Sequence, residues 1–207
     1  MSAVDERTGF KTALAGAGSS GDDGAVETVD YRHLDEPERH LLPDFLYLAV
    51  HVPDGASPPP PEIVRTDPAL RCYVDSFGTR RGDLAVCAVV AGRPVAVAWC
   101  RILGGDSPGY GHVDDDTPEI AVAVLPEHRG AGIGTTVLTY LFDELSHLGW
   151  TQVSLSVDKD NRARHLYERL GFRTVKDNPT DLVMLRPLGG PDEVSTSAPP
   201  GSAKDQT

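Results

Sequence analysis

The run EIAVAVLPEHRGAGIGTT, Glu119 to Thr136, decides how the chain folds. After Glu119, its first third is alanine and β-branched residues, the composition of a buried strand. Glycines follow at alternate positions, Gly130, Gly132 and Gly134. Beyond them Ile133, Val137, Leu138, Leu141, Leu145 and Leu148 recur at helical spacing up to Gly149. Strand, glycine-rich turn and helix therefore come in that order. Glycines so dense either let the backbone turn and pack closely or let it approach a ligand. A helix start, with free N–H groups and partial positive charge, attracts phosphate. Spacing excludes two phosphate loops. The dinucleotide fingerprint needs glycine at its first, third and sixth positions, and counting from Gly130 the sixth is Thr135. The P-loop needs Gly-Lys-Ser or Gly-Lys-Thr, and the stretch has no lysine. A formal dinucleotide pattern at GAGSSG, Gly16 to Gly21, has no strand before it and reads as a chance match.

The flanking sequence supplies further elements. Upstream, Val29, Tyr31 and His33 alternate as in a short strand, and PDFLYLAVHV predicts a helix from near Asp44. Asp67 as N-cap, Pro68 in the first turn, and Leu70, Tyr73, Val74 and Phe77 on one face predict a second helix closed by Gly78. LAVCAVV and PVAVAWCRIL, joined by AGRP, predict a hairpin. GASPPPPEI and DSPGYGHVDDDTP read as loops. Downstream, QVSLSV alternates as a strand, and RARHLYERL sets Ala163, Leu166, Tyr167 and Leu170 on one helical stripe ended by Gly171. GFRTV and DLVMLRPL supply two last strands. The order predicts an α/β fold with a mixed sheet. Residues 1–26 and 189–207 are rich in small and polar residues without periodicity and read as disordered, leaving one domain over 27–188.

A formal charge of −12 and a pI near 4.9 argue against nucleic acid or an anionic membrane as the main partner, and favour cationic or amine-bearing ligands. No apolar run reaches the roughly 20 residues that span a bilayer, and the N-terminus lacks the order of a signal peptide. Cys72, Cys87 and Cys100, odd in number and in apolar surroundings, read as buried free thiols of a cytoplasmic protein. His128, His147 and His165 lack ligand spacing, so no metal is expected. Ser154 and Ser156 have no triad partners, which leaves hydrolase chemistry without support.

Arg129-x-x-Gly132-x-Gly134 resembles the acyl-CoA pyrophosphate loop of the GNAT superfamily of N-acetyltransferases. EIAVAVLPEHRG is similar to that family's fourth strand, RARHLYERLGF to its following helix with a Leu-Tyr pair before Gly-Phe, and DLVMLRPL to its closing strand. The resemblance covers Glu119 to Leu188 well and extends less specifically to Val29. It implies a mixed, mostly antiparallel sheet flanked by helices, and acetyl-CoA as co-substrate. Main-chain groups of Val122, Ala123 and Val124 would pair with the pantetheine arm. The N–H groups of Gly130, Ala131, Gly132, Ile133, Gly134 and Thr135 would cradle the pyrophosphate, where side chains would obstruct it. Arg129 would add charge, or is merely solvated. Tyr167 stands where the family often keeps a tyrosine that protonates the leaving thiolate; the competing reading packs it in the core.

A primary amine titrates near ~10 and must lose a proton before it attacks. Glu119, at the start of the strand that would carry the cofactor, is the candidate base, with Asp114, Asp115 and Asp116 as rivals. Seven residues before Tyr167 the family commonly has asparagine; here Asp160 stands there with Asn161 next, and both read as helix caps. The expected activity is direct transfer of acetyl to a primary amine in a ternary complex. The acids of the variable segments point to a small cationic acceptor. The alternative is a module of the same fold that binds acyl-CoA without turnover. Exposed strand edges leave room for a homodimer.

Overall fold

A computed structural model describes residues 11–14 and 28–189. The strands are β1 (Lys11–Leu14), β2 (Thr28–His33), β3 (Leu84–Val90), β4 (Arg93–Arg101), β5 (Glu119–Val124), β6 (Gln152–Asp158), β7 (Arg173–Asp177) and β8 (Asp181–Pro187). They form one sheet in the order β1-β2-β3-β4-β5-β6-β8-β7. All neighbours are antiparallel except β5 and β6. The helices are α1 (Leu42–Ala49), α2 (Ile63–Thr66), α3 (Pro68–Arg71), α4 (Ile133–His147) and α5 (Ala163–Arg169). This is the mixed α/β sheet expected from the element order, mostly antiparallel as the resemblance implies. No helix among the described residues is long and apolar enough to cross a membrane.

The sheet is covered on both faces. On one, α4 sets Val137, Leu138, Leu141 and Leu145 against Val86, Ala96, Ala98 and Ile120. On the other, α1 sets Leu42, Phe45 and Leu46 against Cys87, Val97, Trp99 and Ala123. The predicted hairpin forms with the two-residue turn Ala91–Gly92. All three cysteines are free and buried, and burial pushes the Cys87 and Cys100 thiols up to about 12. The alternation of β3 and β4 is therefore hidden in the sequence, because both faces are buried.

Two sequence expectations need correction. First, β1 lies inside the segment assigned to disorder. It pairs with β2 from Lys11 opposite Tyr31 to Leu14 opposite Thr28. Composition measures the apolar area a segment can bury, and a strand held by the ladder of a free sheet edge needs little of it. The GAGSSG pattern and the tail beyond Gly189 lie outside the described residues. Second, the helix expected from Asp67 to Gly78 is four residues long. Asp67 caps it as expected, accepting from the Ala69 N–H at 2.9 Å, but residues 72–78 are turns.

Arg101 holds these turns. Its guanidinium, with no exposed surface, donates to the carbonyls of Cys72 (2.9 Å), Asp75 (2.7 Å) and Ser76 (3.2 Å), the first of which a helix reaching Gly78 would itself have used. Asp83, also buried, takes the remaining donors at 2.7 and 2.8 Å. Burial alone would push the Asp83 carboxyl up; the guanidinium and the Gly78 and Arg80 N–H groups outweigh it and hold the carboxyl below its usual value. Breaking a buried ion pair leaves an uncompensated charge, so Asp83→Ala should lower the unfolding free energy by about 3–5 kcal/mol in urea denaturation. A loss under ~1 kcal/mol would mean that the pair behaves like an exposed one.

Candidate active site

Strands β5 and β6 share a single rung, Glu119 opposite Ser154, with the Ser154 N–H bonded to Pro118 O at 3.0 Å. Beyond it they part, and the edge of β5 that faces β6 has no strand partner from Ile120 to Val124. Two adjoining cavities occupy the gap. One, of about 590 Å³, is bordered by Val122, Ala123, Val124, Arg129, Gly134 and Tyr167. The other, of about 460 Å³, has Tyr73, Tyr110, Glu119 and Tyr167 among its walls. Val122, Asn161 and Tyr167 belong to both.

The glycine loop closes the far end of the first cavity. Gly130 and Gly132 have φ of +80° and +81°, a conformation that side chains with a Cβ adopt at a cost. A Cβ on either would meet nothing within 4 Å, so the space over the loop is open. Gly134 has no such constraint; its Cβ would touch Val124 Cγ2 at 3.4 Å at the cavity wall. The first hydrogen bond of α4 runs from Thr136 N to Gly132 O, which leaves the preceding N–H groups, including Ile133, Gly134 and Thr135, without helical acceptors. Ala131 and Thr135 are exposed, whereas the Ile133 side chain is core, so only its main chain is available there. Arg129 folds back, donating from Nε to Val124 O at 3.1 Å. An open β-edge ending at a left-handed loop and a helix N-terminus fits a ligand with an extended amide arm and a phosphate group.

Glu119 sits where β5 and β6 still touch, 3% exposed. Its Oε1 accepts from the Tyr73 hydroxyl and from the Gly111 N–H at 2.8 Å. Its Oε2 is buried without a hydrogen-bond partner. Burial pushes the carboxyl up to about 7, against the pull of the Tyr73 and Gly111 hydrogen bonds and of His112. The Tyr73 hydroxyl in turn accepts from the Tyr110 N–H at 2.8 Å, and the two rings stack 6.5 Å apart. The phenol of Tyr73 is pushed far up, first by burial and then by Glu119.

The loop over the carboxylate depends on two glycines. A Cβ on Gly109 would lie 2.0 Å from Glu119 Oε2, and one on Gly111 would lie 2.5 Å from the backbone of Leu155. Tyr73, Tyr110 and these glycines are absent from the sequence reading of the site. The signal available was the Gly-Tyr-Gly triplet in a segment read only as a polar loop.

The remaining expectations divide. Tyr167 is half-buried, packs edge-on against Phe172 at 5.8 Å and lines both cavities; burial pushes its phenol up to about 12. Asn161 caps α5, accepting from Ala163 N at 2.9 Å, and also borders both cavities. Asp160 lies 3.1 Å from His51. Asp114, Asp115 and Asp116 are exposed and line neither cavity; Asp114 instead accepts from the Asp116 N–H at 3.0 Å in its own loop. The triple acid thus stands apart from Glu119 and from both cavities.

The sequence profile of the Acetyltransferase (GNAT) family matches residues 53–172, more than half the chain, and the chain belongs to that family. A mycothiol acetyltransferase of Kocuria rhizophila is 36% identical over 99 residues, 46% of this chain and 31% of that protein. A ribosomal protein bS18-alanine N-acetyltransferase of Haemophilus influenzae is 36% identical over 61 residues, 30% of this chain and 42% of that protein. The matches therefore span less than half of either relative. In fold, the chain is similar to the PaiA N-acetyltransferase of Thermoplasma acidophilum, solved in complex with coenzyme A. That likeness has a TM-score of 0.56 and 13% identity, over 77% of this chain and 98% of that one.

Carbon-13 NMR of labelled glutamate should find the Glu119 carboxyl titrating with a midpoint of about 7. Since the Tyr73 hydrogen bond favours the carboxylate, Tyr73→Phe should move that midpoint upward. A midpoint in the ordinary range near ~4.3 would contradict the burial account.

Proposed function

We propose that the protein is an N-acetyltransferase that moves acetyl from acetyl-CoA directly to a primary amine in a ternary complex, the acceptor being a small cationic molecule. The observation that carries this reading is the junction of the two cavities. One ends at the glycine loop and the other holds Glu119, and they meet at Val122, Asn161 and Tyr167. A cofactor laid along β5 with its phosphates at the loop would bring its thioester to that junction. The amine would then approach from the Glu119 side. Acids in the second cavity support a cationic acceptor.

The chemistry follows from the proton balance. An alkylammonium titrates near ~10, about six units above an ordinary glutamate. With Glu119 at about 7 the gap is near ~3 units, so a small but useful fraction of bound amine is neutral. The free Oε2 is the atom that takes the proton, directly or through water, while Tyr73 and Gly111 hold Oε1 in place. The amine nitrogen attacks the thioester carbon, the C–N bond forms, and the C–S bond breaks. The departing thiolate has a conjugate acid near ~8.5. A Tyr167 phenol at about 12 gives up its proton to it only partly, so its contribution is a hydrogen bond that stabilises the sulfur as charge develops.

Free thiol released from acetyl-CoA should appear with at least one amine of a diverse panel, and the rate should fall as pH drops below about 7. Glu119→Gln should reduce turnover by roughly 10²-fold or more. Tyr167→Phe should reduce turnover while leaving coenzyme A affinity within about twofold, because it removes only a hydrogen bond to the leaving sulfur. Saturable coenzyme A binding with no thiol release from any amine would identify a binding module instead.

A further inference from the structure

A thiol that leaves needs a proton, and the Tyr167 phenol, at about 12, surrenders its own only in part. Six residues border both cavities, namely Ala49, Val50, His51, Val122, Asn161 and Tyr167. Apart from Tyr167, His51 is the one among them whose side chain can give up a proton, and imidazole does so near neutral pH. It follows by two residues the end of α1, the helix packed against Ala123 of β5.

The ring is held from one side. Its Nε2 is enclosed 3.1 Å from Asp160 Oδ1, a contact of charges without the alignment of a hydrogen bond. Asp160 is available for this pairing because its neighbour Asn161 is the residue that caps α5. With Nε2 enclosed beside the carboxylate, Nδ1 is the nitrogen left to the cavities. A carboxylate behind an imidazole, with a reacting atom in front, fixes the ring while it moves a proton.

The charges around the ring suit a cation. Asp160 lies beside it, and the Asp158 carboxyl, pushed up by burial and then by Asp160 and Asp181, is drawn down by His51. Among the described residues neither cavity wall includes a lysine. Arg129 borders the first cavity only, and its Nε is turned to Val124 O. His51 is therefore the one side chain at the junction that can carry positive charge.

We propose that His51 is the acid that protonates the departing sulfur of coenzyme A, with Asp160 as its positioning residue. As the amine nitrogen bonds to the thioester carbon, the C–S bond breaks and its electron pair stays on sulfur. Nδ1 gives its proton to that sulfur and the ring becomes neutral. Glu119 and water carry away the two protons that the ammonium nitrogen loses. One replaces the proton spent by His51 and the other is released to solution. Tyr167 keeps its hydrogen bond to the same sulfur. The assignment rests on the acetyltransferase reading, which puts the thioester at the junction.

The thiol of bound coenzyme A tests this without turnover. An imidazolium beside the sulfur favours the thiolate, so bound coenzyme A should carry about tenfold more thiolate than free coenzyme A at neutral pH, read from the ultraviolet thiolate band. His51→Gln should abolish that excess. Asp160→Asn, at a largely exposed position where the fold tolerates change, should reduce it. Coenzyme A affinity should stay within about twofold in both variants. In turnover, His51→Gln should lower kcat at least about tenfold with little change in KM. It should also remove the fall in rate at alkaline pH that loss of the ring proton causes, leaving the acid limb due to Glu119. A merely structural His51 would change stability and leave the thiolate band alone. Thiolate content equal to that of free coenzyme A, or an excess that survives both substitutions, would overturn the proposal. If the excess depends on His51 but no amine releases thiol from acetyl-CoA, the place of His51 at the sulfur stands and the acetyltransferase reading falls. If thiol is released and kcat is indifferent to His51→Gln, the reading stands and the proposal falls.

Discussion

Two strands that touch once and then separate organise the rest of the molecule. Parallel neighbours need a crossover, and α4 provides it between β5 and β6. The crossover fixes the N-terminus of α4 at the C-terminal end of β5, so the glycine loop has to lie at the open mouth of the gap. The single shared rung fixes the other end. Glu119 sits at the vertex, where the sheet is still closed on both sides, and water is excluded there by the same backbone that opens a few residues later. The raised carboxyl and the unpaired strand edge are two results of one divergence.

Sequence and structure agree most along the strand, glycine loop and helix, where the main chain carries the arrangement. A loop that offers N–H groups needs only glycines in the right conformation and a helix behind them, and EIAVAVLPEHRGAGIGTT announces both over 18 contiguous residues. The Leu166–Tyr167 pair was legible for a similar reason, since its helix and the closing Gly171 lie together. The cavity that holds Glu119 is built differently, from side chains contributed by α3, the loop before β5, β6 and the start of β8. No local pattern joins residues that far apart.

Tyr73 illustrates why. Its spacing with Leu70, Val74 and Phe77 is a sound helical stripe, and nothing near it signals an interruption. The interrupted segment is held by Arg101, nearly thirty residues on, whose guanidinium donates to three of its carbonyls while the Tyr73 phenol reaches Glu119. Arg101 and Glu119 are themselves cross-strand partners on β4 and β5, so one register places both the group that shapes the loop and the group the loop serves.

The triplet Gly109-Tyr110-Gly111 joins very different freedoms in three residues. Both glycines are confined by what lies beneath them, one by a carboxylate oxygen and the other by the backbone of β6. Tyr110 contributes its main-chain N–H to the network, a group that nearly any residue supplies, while its ring is largely exposed at 55%. The side chain at 110 can therefore change without disturbing the carboxylate below it. Such a position is where a change of side chain would reshape the mouth of the cavity while the hydrogen bonds on Glu119 stay as they are.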